Sequence, residues 1–105
     1  MPKTAPTRNL PIPRSAPLTD AITATSKKTG NTITVQRFGP LTRGGEAIEW
    51  ARWTVTYPDE TRESWAKQYT GANLARLTAE LDETERDLAA DPDVINLTRT
   101  TGAKP

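Results

Sequence analysis

Trp50-Ala51-Arg52-Trp53-Thr54-Val55-Thr56-Tyr57 constrains this chain more than any other stretch, and Pro58-Asp59 closes it with a turn signal. Its aromatic and β-branched side chains alternate with the rest. Such side chains are stiff at χ1 and pack well on a pleated surface, so the run reads as the central strand of a small sheet. Successive side chains of a strand point to opposite faces, which puts Trp50 on one face and Trp53 on the other. A small sheet that buries one face against a helix then has a second face carrying a large aromatic ring.

The neighbouring segments build the sheet. Thr32-Ile33-Thr34-Val35-Gln36-Arg37-Phe38 alternates in the same way and reads as a strand that Gly39-Pro40 breaks. Leu41 to Gly45 reads as a loop, and Ala47 to Tyr57 as the second strand. The segment from Thr61 to Tyr69 fits a strand, with Trp65 and Tyr69 on one face. It also fits a helix capped by Asp59; the turn just before it favours the strand. Leu74, Leu77, Leu81 and Leu88 recur at helical spacing, with Thr84 in the remaining slot and Thr70 as the expected N-cap. Asp91-Pro92 ends that helix, and Val94 to Arg99 returns as a short last strand.

These elements predict an α+β fold: a small antiparallel sheet in β-β-β-α-β order, with one amphipathic helix on one face. The helix-facing set is Ile33, Val35, Trp53, Val55, Tyr57, Trp65, Leu74, Leu77, Leu81 and Leu88. At roughly 2 kcal/mol per well-buried large side chain such a core suffices for a marginal domain. Association would help it, so a homodimer stays open.

Residues 1–30 differ in character. They hold five of the nine prolines and carry a net charge of +4, against 0 for residues 31–70 and −3 for residues 71–105. Proline removes a backbone donor and pushes its predecessor into extended geometry. The segment is expected to be a disordered basic arm, with at most a short helical turn around Thr19 to Ser26. The domain proper then spans 31–99, followed by a flexible tail over 100–105. No secretory signal and no membrane-spanning run stands out, which makes a soluble protein of the cytoplasm the expectation.

With no cysteine and no histidine, thiolate nucleophiles, disulfides, the usual zinc sites and imidazole acid–base chemistry are excluded. The carboxylates Asp82, Glu83, Glu85 and Asp87 read as a solvated helix face. No catalytic residue, cofactor or metal site is expected, and the chain reads as non-enzymatic. The second sheet face would present Thr34, Gln36, Phe38, Ile48, Trp50, Arg52, Thr54, Thr56, Arg62, Ser64 and Gln68. Rings there fill a partner's pocket and guanidinium groups reach carboxylate or phosphate. Phe38, Trp50, Arg52 and Arg62 are therefore the candidate partner-binding residues. The alternative is that Trp50 and Ile48 pack beneath the N-terminal arm, or that a bulge turns both tryptophans inward.

The leading expectation is a protein-interaction module, an accessory or regulatory factor acting through this face or through a sheet edge. The alternative partner is nucleic acid, held by Lys27, Lys28, Arg52 and Arg62 with the basic arm along phosphates. The three-strand-plus-helix order over residues 31–89 is similar in outline to the small DNA-binding domains of some phage integrase arms. That resemblance implies a sheet that enters the major groove. Here the open face offers mainly Arg52 and Arg62, with Glu49 and Glu63 nearby.

Overall fold

The computed structural model describes residues 12–101. Five strands and one helix follow in order: β1 (Leu18–Ser26), β2 (Thr32–Arg43), β3 (Glu46–Thr56), β4 (Arg62–Thr70), α1 (Asn73–Ala90) and β5 (Val94–Thr101). They form one antiparallel sheet in the order β4-β3-β2-β1-β5. The α+β class with a single helix agrees with the expected fold. The order β-β-β-β-α-β corrects the expected β-β-β-α-β, and the additional strand lies inside the expected arm.

That arm is the main correction. Leu18–Ser26 is a full strand between β2 and β5, with Ile22 opposite Val35 and Arg99. Its inward residues are Asp20, Ile22 and Ala24, all buried. An acid in an inward position hid the alternation, and the prolines upstream suggested that the whole segment stays extended. Asp20 is tolerated because Arg99 on β5 reaches it at 2.7 Å. Buried charge is acceptable when it is paired and hydrogen-bonded. Residues 1–11 of the expected arm and 102–105 of the expected tail fall outside the described residues; Thr100 and Thr101, expected in that tail, continue β5.

Gly39-Pro40 does not end β2. The strand runs on to Arg43 through a one-residue register shift between Phe38 and Leu41. Gly39 has φ +113°, and a Cβ there would sit 2.9 Å from the Ile48 carbonyl oxygen. Only glycine fits that bulge. The true turn is at Gly44-Gly45, both with positive φ. Residues 61–69 are settled as strand, since β4 pairs with β3 without a break from Thr56–Arg62 to Ile48–Thr70.

The helix begins later than expected. Ala72 precedes it without a side-chain cap, Thr70 being the last residue of β4. Leu77 and Leu81 are fully buried, with Leu74 and Leu88 packed around them. Thr84, in the polar slot of the leucine series, donates its hydroxyl to the Glu80 carbonyl at 2.8 Å. That bond satisfies the hydroxyl within the helix.

Strand order dictates the path of α1. Successive antiparallel pairings make β4 and β5 run parallel to each other at opposite edges of the sheet. Their connection must cross four strand spacings, roughly 19 Å, while descending the full strand length. Eighteen helical residues extend roughly 27 Å, so α1 lies diagonally. It covers the centre, where Ile22, Val35, Ala51 and Tyr69 meet Leu77 and Leu81. Two opposite corners of that face lie beside the helix path. At one lie Trp53 and Trp65, partly exposed; at the other lie Asp20, Arg37, Glu49 and Thr101, where ion pairs keep the two acids buried.

Candidate functional site

The face away from the helix presents the residues that alternation assigned to it, but not as one open surface. Trp50 is 2% exposed. Its ring belongs to a second apolar cluster with Ala16 and Ile48, packed by Ile12, Phe38 and Leu41. The lead-in to β1 forms the lid. A turn with Ala16 N–H donating to the Pro13 carbonyl at 3.0 Å directs it back, and Gly39 N–H donates to the Pro17 carbonyl at 2.8 Å. Trp50 is thus core, which corrects its expected place on a partner-binding surface. The reason is long-range: the cover comes from residues that strand alternation alone does not place.

Phe38 is half-buried beside Trp50, its cross-strand neighbour. The guanidinium of Arg52 lies 5.1 Å from the Phe38 ring centroid. That cation–π contact holds Arg52 flat along the sheet. The rest of this face is polar: Thr32, Thr34 and Gln36 of β2 stand across from Thr56, Thr54 and Arg52 of β3. Lys27 and Lys28 sit on the β1–β2 turn and are exposed, as is Arg62 at the start of β4. Register places Arg62 opposite Thr56, and Thr56 opposite Thr32, at the sheet end where that turn lies. Arg52 lies further up β3, so the four cations do not line a single track.

Two further features stand out: a tryptophan pair that the expected site residues omitted, and one of the sheet edges that the sequence offered as an alternative contact. Trp53 and Trp65 are cross-strand partners whose rings stack at 6.5 Å between centroids, 9° from parallel. Both are partly exposed in the corner that α1 leaves free. Lys67 lies 5.9 Å from the Trp53 ring and 5.4 Å from Tyr69. Nearby, the Tyr57 hydroxyl donates to Glu63 at 3.1 Å, which pushes the phenol pKa up.

The second feature is the outer edge of β4. Edge strands present a row of backbone donors and acceptors with no ladder on one side. The hairpin closes with Tyr57 N–H donating to the Thr61 carbonyl at 2.8 Å, which sets the phase of the ladder. In an antiparallel pair bonded and non-bonded positions alternate. The odd-numbered residues of β4 therefore bond to β3, and the backbone groups of Arg62, Ser64, Ala66 and Gln68 point outward. β4 has no proline, glycine or bulge over its nine residues. The opposite edge, β5, is irregular: its register shifts against β1, and Asn96 takes φ +58°.

The remaining charges hold the fold together. Arg99 donates to Asp20, to Asp82 at 2.9 Å and to Glu85 at 2.8 Å, tying β5 to β1 and to the helix. Hydrogen bonds to these acids, Asp20 first, raise its pKa. Arg37 pairs with the buried Glu49. Asp20, Arg37 and Glu49 line a hollow of about 280 Å³ with Thr19, Gly39, Pro40 and Thr101. A second hollow of about 300 Å³, largely apolar, lies beneath the helix end near Leu88 and Val94. Among the described residues no group of three or more acids is arranged to hold a metal ion, and no helix is long and apolar enough to cross a membrane.

Compared with family models, curated proteins and solved structures, the chain matches none. With β1 inside the sheet, the element order that resembled phage integrase arms describes only β2 to α1.

Proposed function

We propose that this chain is a small non-enzymatic protein-interaction module that accepts a partner strand at the β4 edge. One observation carries the reading. β4 is a regular edge strand whose outward backbone groups alternate without interruption, beside a stacked tryptophan pair that the helix leaves open. In strand addition the backbone ladder supplies affinity, and alternate side chains supply specificity. Arg62, Ser64 and Gln68 would flank the incoming strand on the polar face, and Glu63, Trp65 and Lys67 on the helix side. The charged residues also suppress indiscriminate edge pairing. Phe38 and Arg52 belong to the neighbouring polar face and would border the contact rather than centre it.

The test is site-specific photo-crosslinking of the full chain in its own cell, with the reactive group placed in turn at Ser64, Gln68, Arg52 and Glu83. The expected result is protein adducts from positions 64 and 68 and none from Glu83 on the outer face of α1. Adducts from Arg52 alone would move the interface to the polar sheet face. Nucleic-acid adducts would replace the reading with the phosphate-binding one, to be pursued at Lys27, Lys28, Arg52 and Arg62.

A further inference from the structure

The charge sequence along β4 specifies which strand fits its edge. We infer that the edge pairs with β4 of a second copy of this chain, antiparallel about a two-fold axis through Trp65; this rests on the reading of β4 as the docking edge. A two-fold pairing must set outward backbone groups against outward backbone groups, so even-numbered residues face even-numbered ones. Centring on Trp65 satisfies this: Ser64 faces Ala66 of the second copy, and Arg62 faces Gln68.

The same register places Glu63 directly opposite Lys67 of the second copy, twice by symmetry. These are non-hydrogen-bonded positions, where facing side chains are closest. The neighbouring two-fold registers lose the match. Centring on Ser64 sets Glu63 against Trp65, and centring on Ala66 sets it against Tyr69. Only the Trp65 register pairs both charges with their opposites. Glu63 and Lys67 are exposed in the protomer, where Glu63 accepts from the Tyr57 hydroxyl and Lys67 lies over the Trp53 and Tyr69 rings, and the pairing exchanges these solvent-facing contacts for the ion pair across the join.

The aromatic corner gives this register an apolar centre. Trp53 and Trp65 already stack across β3 and β4. In the pair of copies Trp65 meets its own symmetry mate, making a row of four indoles across the join. Cross-strand aromatic pairs are among the more stabilising contacts a sheet offers. Joining the edges also extends the sheet from five strands to twice that number.

Sedimentation equilibrium of the full chain tests the pairing, with circular dichroism to show that each variant folds. The wild-type chain is expected to dimerise reversibly. Glu63→Lys alone sets lysine against lysine, and Lys67→Glu alone sets glutamate against glutamate. Each is expected to weaken the dimer by roughly tenfold or more. The double variant Glu63→Lys/Lys67→Glu restores the pairing and the affinity. A monomer at every concentration, or a dimer indifferent to both single reversals, overturns the inference. In either case β4 photo-adducts to a different protein leave the interaction-module reading standing, while their absence removes that reading too.

Discussion

Trp50 shows how far one side chain's fate depends on distant chain. Alternation placed it on the face away from the helix, and it is there; its 2% exposure comes from Ile12 and Ala16 folding over it. Trp50→Ala is therefore expected to cost about 3–5 kcal/mol, the usual loss for a large core aromatic. Arg52→Ala, which removes a surface contact with Phe38, should cost about 0.5–1 kcal/mol. Urea melts of the two variants would separate core from surface. Tyr69 makes the complementary case. It is buried, and its hydroxyl donates to Glu80 of α1 at 2.8 Å. Burial first, then Glu80, push the phenol pKa well above its ordinary value. The folded state thus keeps a proton that the unfolded chain releases at about pH 10. Tyr69 contributes its full stability below that pH, and the contribution falls as pH rises past it. Alkaline melts should show this decline, and Tyr69→Phe should flatten it while lowering stability near neutrality.

At the scale of elements, legibility followed local patterning. The start of β2, all of β3 and the helix-facing leucines of α1 were readable because each repeats its period without interruption. Val94 to Arg99 was readable as a strand because Asp91-Pro92 had already ended the helix. β1 was not, because Asp20 occupies an inward position and looks polar until Arg99 is beside it. The continuation of β2 past Gly39-Pro40 was not, because the bulge depends on the approach of Ile48. Residues 61–69 were readable as strand only through their turn, since tryptophan and tyrosine four apart suit either structure. The ends of α1 are plain: no acidic residue lies in its first turn and no basic residue in its last. Ala90 is exposed in that last turn. Ala90→Lys should complement the helix dipole and stabilise by about 0.5 kcal/mol. Ala90→Glu should destabilise by a similar amount, both read as shifts of the urea midpoint at constant slope.

At the scale of the whole molecule, strand order decides what is left to interact. Inserting β1 between β2 and β5 makes β4 one edge of the sheet and the irregular β5 the other. It also forces α1 onto a diagonal that leaves Trp53 and Trp65 partly exposed. None of this lies in the local sequence of β4, which is why the expected site favoured the sheet face around Trp50. Arg62 was anticipated and remains beside the proposed contact; Trp65 and Lys67 emerge only once the edge is known. The most direct measurement is residue-resolved amide hydrogen exchange of the full chain at micromolar and at millimolar concentration. Self-pairing at β4 predicts that the outward amides of Ser64, Ala66 and Gln68 gain protection as concentration rises, while the β5 edge does not. Exchange at those three amides that stays fast and independent of concentration would contradict it.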